Sequence, residues 1–340
     1  MTKPPAARGA ATLLAALLAA ATLTSCSGGS ADPDESGEAG VSQYTGWTYT
    51  DDAGVTVDLD QRPTRIAAFT DYAIGLFSYG IEPVAIFGRE DVATDRRLKD
   101  YDLSDVAIVG NNYGEIDLEA LAAAQPDLIV TGIYPTDRDG TLSLEDPYYA
   151  LADKEQQEQL AKIAPIVVIK VGGAGIDVIE SLNALAVSLG ASADAINQAK
   201  AAYDAAAAEL TEAAAQSDLE LTMIYGGADG IYLVKPMDEP TTELYTSLGV
   251  KFTDLAPDGD YYWDIYSWEN AAQTMTGDVL LVFTEGYQEA DLLAQPTFAS
   301  HPALAAGQVY TWADAAFDYD SQAAQFEYLT TILRDSEKVA

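Results

Sequence analysis

The sequence contains only one cysteine and one histidine among its 340 residues. A single thiol, Cys26, cannot form an internal disulfide in any redox compartment. Transition-metal sites need several His, Cys or clustered carboxylate ligands, and His301 stands alone before Pro302 in a predicted turn. One histidine in that position also leaves no Ser-His-Asp set for nucleophilic catalysis. We therefore expect no disulfide framework, no resident metal and no cofactor.

Basic residues are also scarce, with 17 Lys and Arg against 54 Asp and Glu and a net charge of −37. Nucleic acid is excluded as a partner, because its phosphate backbone requires a basic face and the few cations do not cluster. The acidic excess is typical of a highly soluble chain, or of a preference for neutral or cationic ligands. Screening over about 8 Å at physiological salt means that net charge alone says little about a particular pocket.

Long apolar runs are confined to the N-terminus, where Ala10–Thr24 follows Lys3 and Arg8. This run is shorter than the roughly 20 residues of a membrane span, and it leads into Leu-Thr-Ser-Cys, which resembles a bacterial lipobox. We predict a signal peptide over 1–25 and a lipidated Cys26; an ordinary secretory signal that contains a cysteine is the alternative. Two or more lipid chains hold a protein firmly, so the expected location is the extracytoplasmic face of the cell membrane.

Residues 26–46 are rich in Ser, Gly, Asp and Glu and have little to bury, which predicts a flexible tether. The segment 192–216 is the opposite case: nearly half of it is Ala, and it contains no Gly or Pro. Since Ala favours helix most strongly, we predict one unbroken helix on the order of 35 Å long, capped by Ser192.

Short apolar segments alternate with helical ones on both sides of this helix, which is typical of an α/β protein. The predicted fold is two lobes, 47–191 and 217–340, each with a central, mostly parallel sheet and bridged by the helix. The first lobe begins with a hairpin over Trp47–Asp60. Its predicted strands are Arg65–Phe69, Val84–Phe87, Val106–Val109, Leu128–Thr131 and Ile166–Ile169. Those of the second lobe are Leu221–Tyr225, Tyr232–Val234, Lys251–Thr253, Val279–Phe283 and Val309–Thr311. Helices are predicted at 72–79, 149–162, 241–248, from Ser267 onward, and at 321–337.

The two lobes contain similar short units. Asp117-Leu118-Glu119 begins a helix that runs to Pro126-Asp127 and a buried strand, and Ser267-Trp268-Glu269 begins one that runs to Gly277-Asp278 and another strand. Each unit has a capping residue, a Glu two places later, a short helix and an Asp before the strand. The lobes therefore look like two versions of one plan.

With these units, the chain resembles the substrate-binding lipoproteins of ABC importers whose lobes are bridged by a long helix, a group that includes ferric-siderophore and corrinoid binders. The segments that carry the resemblance are 63–66, 117–130, 267–279 and 301–310, together with the lipobox. The resemblance implies a helical-backbone periplasmic-binding-protein fold and a ligand handed to a membrane permease dimer. We expect the binding protein itself to be a monomer.

In that family each lobe presents a glutamate that docks onto basic residues of the permease, and the matching positions are Glu119 and Glu269. A carboxylate in the first turn of a helix is also favoured by the helix dipole alone, by roughly 0.3–1 kcal/mol. Because both residues occupy the same place in the two units, we predict that Glu119 and Glu269 dock onto the permease.

The ligand is expected in the cleft between the lobes, where the carboxyl ends of the strands lie. Aromatic side chains follow nearly every predicted strand, and flat rings suit a bulky, partly apolar ligand. Any one of them can instead pack within a lobe. The predicted binding residues are Tyr72, Arg89, Asn111, Tyr113, Tyr134, Tyr232, Tyr262, Trp263, Tyr287 and Trp312.

The resemblance implies a ferric siderophore, with iron present only inside the bound complex. In siderophore binders an arginine often precedes the first glutamate unit, but this chain has Asn111, Asn112 and Tyr113 there, which argues against a strongly anionic catecholate. Arg89 is the expected substitute. A neutral or cationic ferric hydroxamate fits an aromatic, acidic cleft, while a corrinoid or haem held by a tyrosine remains the alternative.

The residues alone are also compatible with two other classes of protein. A surface enzyme would use carboxylates such as Asp71 and Glu285 near the cleft, but no nucleophile elbow or phosphate-binding Gly-rich loop accompanies them. A surface interaction module would reuse the two lobes for protein contact. The tethered anchor favours delivery to a membrane partner, and we predict a binding protein, not an enzyme.

Overall fold

A computed structural model describes residues 46–340. The predicted signal peptide, the predicted lipidation site Cys26 and all of the predicted tether except Gly46 lie outside these residues. Between residues 46 and 340, none of the helices has the length and apolar character needed to cross a bilayer.

The first lobe opens with the predicted hairpin and continues as alternating strands and helices. The hairpin is β1 (Trp47–Thr50) and β2 (Thr56–Leu59), and Gly54 in its turn has φ +78°. The remaining elements are β3 (Ile66–Phe69), α1 (Thr70–Ser78), β4 (Ala85–Phe87), β5 (Ala107–Gly110), α2 (Leu118–Ala124), β6 (Leu128–Ile133), α3 (Lys154–Ala161), β7 (Ile166–Lys170) and α4 (Gly175–Leu189). Two 3₁₀ turns, Val92–Thr94 and Arg96–Leu98, lie between β4 and β5.

Strands β3 to β7 form one parallel sheet in the order β5-β4-β3-β6-β7. Every residue of β3 and of β6 is buried, as expected for central strands covered on both faces. The short, continuously apolar runs in the sequence therefore predicted this sheet correctly.

The bridging helix, α5 (Ala193–Gln216), is unbroken over 24 residues. Ser192 occupies the N-cap position, but its hydroxyl makes no capping hydrogen bond, so the predicted side-chain cap is wrong. The helix depends instead on its alanine content and on a buried face that includes Tyr203 and Leu210.

The second lobe contains a mixed sheet. Its elements are β8 (Leu221–Gly226), β9 (Gly230–Val234), α6 (Pro240–Ser247), β10 (Trp263–Ser267), β11 (Val279–Phe283), α7 (Glu289–Leu293), α8 (Pro302–Ala305), β12 (Val309–Trp312) and α9 (Tyr319–Asp335). The strand order is β10-β9-β8-β11-β12, in which the pairs β10-β9 and β9-β8 are antiparallel and the other two are parallel.

Three predictions for this lobe are wrong in detail. The sheet is half antiparallel, because β8 and β9 form a tight hairpin and β10 adds to its edge. The predicted strand at Lys251–Thr253 is reduced to an isolated bridge between Phe252 and Leu221. The helix predicted from Ser267 is a 3₁₀ helix, Trp268–Thr274.

The bridge between the lobes is the predicted single helix, α5, with the C-terminal helix packed beside it. Helix α9 packs along α5, where the Tyr203 ring lies 5.1 Å from that of Tyr319 and 5.0 Å from that of Phe326. At its N-terminal end α9 also contacts the first lobe, because the Tyr319 N–H donates to Tyr79 Oη at 3.0 Å. The predicted single strut is therefore reinforced by the C-terminal helix.

Candidate functional site

A cavity of about 610 Å³ lies between the lobes at the carboxyl ends of their strands. Its first-lobe wall consists of Asp71, Arg89, Tyr113, Tyr134, Pro135 and Tyr149. Its second-lobe wall consists of Tyr225, Glu239, Thr241, Tyr261, Tyr262, Trp263, Phe283, Glu285, Asp314, Ala315 and Phe317. The cavity is thus formed by both lobes, at the place where open α/β sheets bind ligands.

Aromatic rings form a continuous surface from one lobe to the other. Tyr134 and Tyr149 lie 4.6 Å apart, Tyr134 faces Tyr262 across the cleft at 6.4 Å, and Tyr262 lies 5.5 Å from Trp263, all measured between ring centroids. Burial is the main cause that raises the pKa of both Tyr134 and Tyr262 well above the usual tyrosine value. These phenols are therefore neutral, and they offer an apolar face with a polar tip.

Arg89 connects the lobes inside the cavity. Its Nε donates to Glu285 Oε1 at 3.0 Å, its Nη1 donates to Tyr149 Oη at 3.2 Å, and its Nη2 lies 3.9 Å from Asp314 Oδ2. Burial acts to lower the pKa of Arg89, but neighbouring groups led by Asp71 outweigh it and hold that pKa well above its usual value. The guanidinium is therefore permanently charged at this position.

A second arginine, Arg97, supports the same edge of the cavity from behind. Its Nη1 donates to Asp71 Oδ1 at 2.7 Å and to the Asp314 carbonyl at 3.1 Å, and its Nη2 pairs with Asp95 Oδ2 at 2.7 Å. Arg97 thereby links the first lobe to the loop that follows β12. This role could not be predicted from the residues around Arg97, because Asp314 lies 217 positions away.

Acidic side chains outnumber basic ones in the cavity wall. The described lining residues include four carboxylates, Asp71, Glu239, Glu285 and Asp314, and one cation, Arg89. Burial, followed by the charge of Glu239, raises the pKa of Asp314 to about 7, although Arg89 opposes the shift. Burial also raises the pKa of Glu239, whose oxygens accept from the Thr241 hydroxyl and the Thr242 N–H at 2.7 Å each. Since the only cation among the described lining residues, Arg89, is already paired with Glu285, the site suits a neutral or cationic ligand better than an anionic one.

Five of the ten predicted binding residues line this cavity: Arg89, Tyr113, Tyr134, Tyr262 and Trp263. Tyr113 is half exposed, while the other four lie deeper between the lobes. Arg89, Tyr113 and Tyr134 follow strands, where the rule that ligands bind at strand ends predicts them, while Tyr262 and Trp263 lie at the start of β10.

The other five predicted residues do not line it. Tyr72 is buried in the first lobe with its hydroxyl against Gly132, and Asn111 accepts the Val92 N–H at 3.0 Å to hold a loop. Tyr232 donates to Asp229 at 2.6 Å on the surface of β9.

Tyr287 and Trp312 complete that set. The ring of Tyr287 stacks on Trp268 at 5.9 Å, away from the cavity. Trp312 is fully buried, and its Nε1 donates to Asp314 Oδ1 at 3.2 Å, so Trp312 reaches the site only through that carboxylate.

Sequence reasoning missed several lining residues. Tyr149 was assigned to a helix, but α3 starts only at Lys154, which leaves Tyr149 in a loop that folds over the cavity. Asp314 comes two residues after β12, and applying the strand-end rule one step further along the chain would have found it. Glu239 caps α6, and nothing local distinguishes it from an ordinary capping residue.

The two glutamate units differ in structure. Glu119 lies exposed in the first turn of α2, whose N-cap Asp117 accepts the N–H groups of Glu119 and Ala120 at 3.0 and 2.9 Å. Glu269 is exposed in the first turn of the 3₁₀ helix, which has no side-chain cap. Both carboxylates are therefore free to meet a partner, and docking stays a prediction.

Across residues 46–340, no three His, Cys, Asp or Glu side chains are grouped closely enough to hold a metal ion. His301 has a structural role: its Nδ1 accepts the Ala303 N–H at 3.2 Å, and its Nε2 lies 3.0 Å from the Thr276 carbonyl oxygen. The histidine therefore caps α8 and fixes a neighbouring turn.

A family model described as periplasmic binding protein matches residues 66–316. The chain belongs to this family, and with its bridging helix α5 it is a substrate-binding protein of the helix-bridged type that serves ABC importers. The family and the similar solved structures are receptors, not enzymes.

Three solved structures are informative. DesE, a ferric-siderophore receptor protein from Streptomyces coelicolor, is 29% identical with a TM-score of 0.75, over 86% of this chain and 100% of that one. The siderophore periplasmic binding protein from the fuscachelin gene cluster of Thermobifida fusca is 25% identical with a TM-score of 0.57, over 80% and 96% of the two chains. The petrobactin-binding protein YclQ from Bacillus subtilis, 16% identical with a TM-score of 0.63 over 85% and 99%, shares the fold. No curated protein sequence matches the chain.

Proposed function

We propose that this protein captures a ferric siderophore of the hydroxamate type between its lobes and delivers it to the permease of an ABC importer. The observation that carries the proposal is the aromatic, acid-rich cavity between the lobes. Its volume, about 610 Å³, falls within the roughly 300–1,000 Å³ of typical small-molecule sites.

The names of two similar proteins support the ligand class. DesE is a ferric-siderophore receptor, and the Thermobifida fusca protein is a siderophore-binding protein. Each is covered by this chain over nearly its whole length.

Charge supports the hydroxamate type. A ferric tris-catecholate is strongly anionic, whereas a ferric tris-hydroxamate is neutral or, with a free ammonium group, cationic. The described wall has four carboxyl groups and one arginine, and that arginine is already paired with Glu285, so it offers little positive charge to attract a strongly anionic complex. Tyrosine and tryptophan faces add attraction for an ammonium group.

Membrane attachment through Cys26 is part of the proposal. The long helices hold the lobes at a fixed separation, and a tether of about twenty residues lets this body reach a permease in the same membrane. Changing Cys26 to Ala should release the protein into the medium. Continued membrane retention of that variant would contradict a lipid anchor at Cys26.

The test is a fluorescence titration that uses Trp263 in the cavity wall. Three probes are compared: ferrioxamine B, which carries an ammonium group, its N-acetylated neutral form, and a ferric tris-catecholate. We expect both hydroxamates to quench and the catecholate to bind at least tenfold more weakly. Equal or tighter catecholate binding would overturn the hydroxamate assignment. If none of the three quenches the fluorescence but haem or cobalamin does, the protein binds that ligand instead of a siderophore.

A further inference from the structure

Arg138, in the loop after β6 of the first lobe, makes four hydrogen bonds to the second lobe. Its Nε and Nη2 donate to the two carboxylate oxygens of Asp238 at 2.8 and 2.7 Å. Its Nη1 donates to the Gly259 carbonyl at 2.9 Å, and its Nη2 also donates to the Asp260 carbonyl at 2.8 Å. We call this set of contacts the Arg138 bracket.

The bracket holds the backbone of an aromatic residue in the cavity wall. Asp238 Oδ2, which accepts from Arg138, also accepts the Tyr262 N–H at 3.0 Å, and the Tyr262 carbonyl accepts the Lys235 N–H at 3.0 Å. Tyr262 has φ +73°, in the left-handed region that bulky residues rarely adopt. Because this conformation is unfavourable for tyrosine, the surrounding hydrogen bonds must hold it in place.

The segment that contains Tyr261 and Tyr262 separates two cavities. The main cavity lies on one side, and a second cavity of about 500 Å³, lined by Arg138 and Asp238, lies on the other. Pro135 and Tyr261 belong to the walls of both. Displacement of this segment would therefore open the main cavity into its neighbour.

The two ends of the bracket differ in exposure. The side chain of Asp238 is 6% exposed, but that of Arg138 is 40% exposed, so water and salt can compete for the arginine. The base of the same loop is held within the second lobe by buried Lys235, whose Nζ lies 3.2 Å from Asp264. Release of Arg138 would thus free the tyrosine segment while leaving the lobe folded.

We propose that the Arg138 bracket is a latch between the lobes that positions Tyr262 and sets the rate at which ligand leaves the main cavity. Arg138 does not line that cavity, so it is a positioning residue that acts through Asp238 and the Tyr262 backbone. The first part of the proposal concerns the free protein alone, and the second rests on the proposed function.

Hydrogen exchange of the free protein tests the first part. In Arg138→Gln we expect peptide amides of residues 258–263 to exchange at least tenfold faster than in the wild type, with no change in β11. Arg96→Gln is the matched control, since Arg96 is exposed and makes no side-chain hydrogen bond within residues 46–340. Arg138→Lys should be intermediate, because one ammonium group cannot span a carboxylate and two carbonyls. Equal exchange in Arg138→Gln and Arg96→Gln would overturn the latch.

Stopped-flow displacement of ferrioxamine B tests the second part. We expect Arg138→Gln to raise the dissociation rate at least tenfold, while the association rate is unchanged or faster. Added salt should reduce the difference in dissociation rate between this variant and the wild type. An unchanged dissociation rate would refute control of ligand exit even if hydrogen exchange is faster. If the wild type binds none of the siderophore, haem or cobalamin probes, the proposed function fails, and the exchange experiment still decides whether the latch exists.

Discussion

At the scale of single residues, the cavity combines a charged link with neutral rings. Arg89 joins the lobes through Glu285 and Tyr149, while Tyr134 and Tyr262 face one another across the cleft. With Arg89 paired to protein groups of both lobes, the rings provide the apolar contact area for a ligand.

Replacing Tyr134 with Ala should weaken ferric hydroxamate binding by about 10- to 100-fold, because a large ring is lost from the centre of the site. Tyr287→Ala is the control, since Tyr287 stacks on Trp268 outside the cavity. Isothermal titration of both variants provides the measurement. Similar losses in the two variants would show that the cavity is not the binding site.

Asp314 makes stability depend on pH. Its pKa is raised from an ordinary value near 3.8 to about 7, so between these pH values the folded state keeps a proton that the unfolded state has lost. The stabilising effect of that proton is complete below about pH 4 and is lost as the pH rises through 7.

Asp314→Asn should therefore increase the free energy of unfolding at pH 8 by on the order of 1–2 kcal/mol, and by progressively less as the pH falls to 4. Urea unfolding at several pH values measures this difference, with the exposed Asp258→Asn as control. A gain that stays constant or grows on acidification would contradict the assignment of a raised pKa.

Residue-level prediction from the sequence succeeded where a side chain directly follows a strand. Arg89 and Tyr134 were found in this way, because strand ends converge at one edge of a sheet. It failed for contacts set by distant partners: Arg97 was not identified, since its link to the loop after β12 depends on how the two lobes meet.

At the scale of elements, the parallel pair α5 and α9 determines the spacing of the lobes. The sequence predicted α5 to within one residue because alanine content is a local property. The packing of α9 along it was not predicted, since an amphipathic pattern shows that a helix has a buried face but not which neighbour covers it. Two packed helices resist bending more than one, which favours a small change in lobe angle upon binding.

Leu210→Ala should lower the free energy of unfolding by about 2–5 kcal/mol, because Leu210 is fully buried in the α5 face that packs on α9. Ala205→Gly, at an exposed position of the same helix, should cost only about 1 kcal/mol through helix propensity. Denaturant unfolding monitored by circular dichroism compares the two. Equal effects would mean that the helices contribute no shared core.

Strand pairing in the second lobe shows a further limit of prediction from the sequence. The apolar runs of β8, β9 and β11 were recognised, but antiparallel pairing of β8 with β9 and the addition of β10 are non-local choices that periodicity does not specify. The 3₁₀ form of Trp268–Thr274 was likewise not predictable, because a capping residue and a short apolar pattern suit either helix.

At the scale of the whole molecule, the exposed Glu119 and Glu269 give each lobe one carboxylate near the start of a short helix. If these residues dock on the permease, Glu119→Ala/Glu269→Ala should abolish uptake of ferric hydroxamate in cells while leaving the Kd of the purified protein within twofold of the wild type. Glu115→Ala/Glu289→Ala, which also removes two exposed carboxylates, controls for loss of charge. Normal uptake by the Glu119→Ala/Glu269→Ala variant would contradict a docking role for these two residues.

The most direct test of the account is to identify what the protein captures. The purified protein is incubated with spent medium from iron-starved cells, recovered, and analysed by native mass spectrometry beside the Tyr134→Ala variant. The account predicts a 1:1 complex with the mass and iron isotope pattern of a ferric hydroxamate, much reduced in the variant. A corrinoid, a haem or a ferric catecholate in the wild-type complex would contradict it.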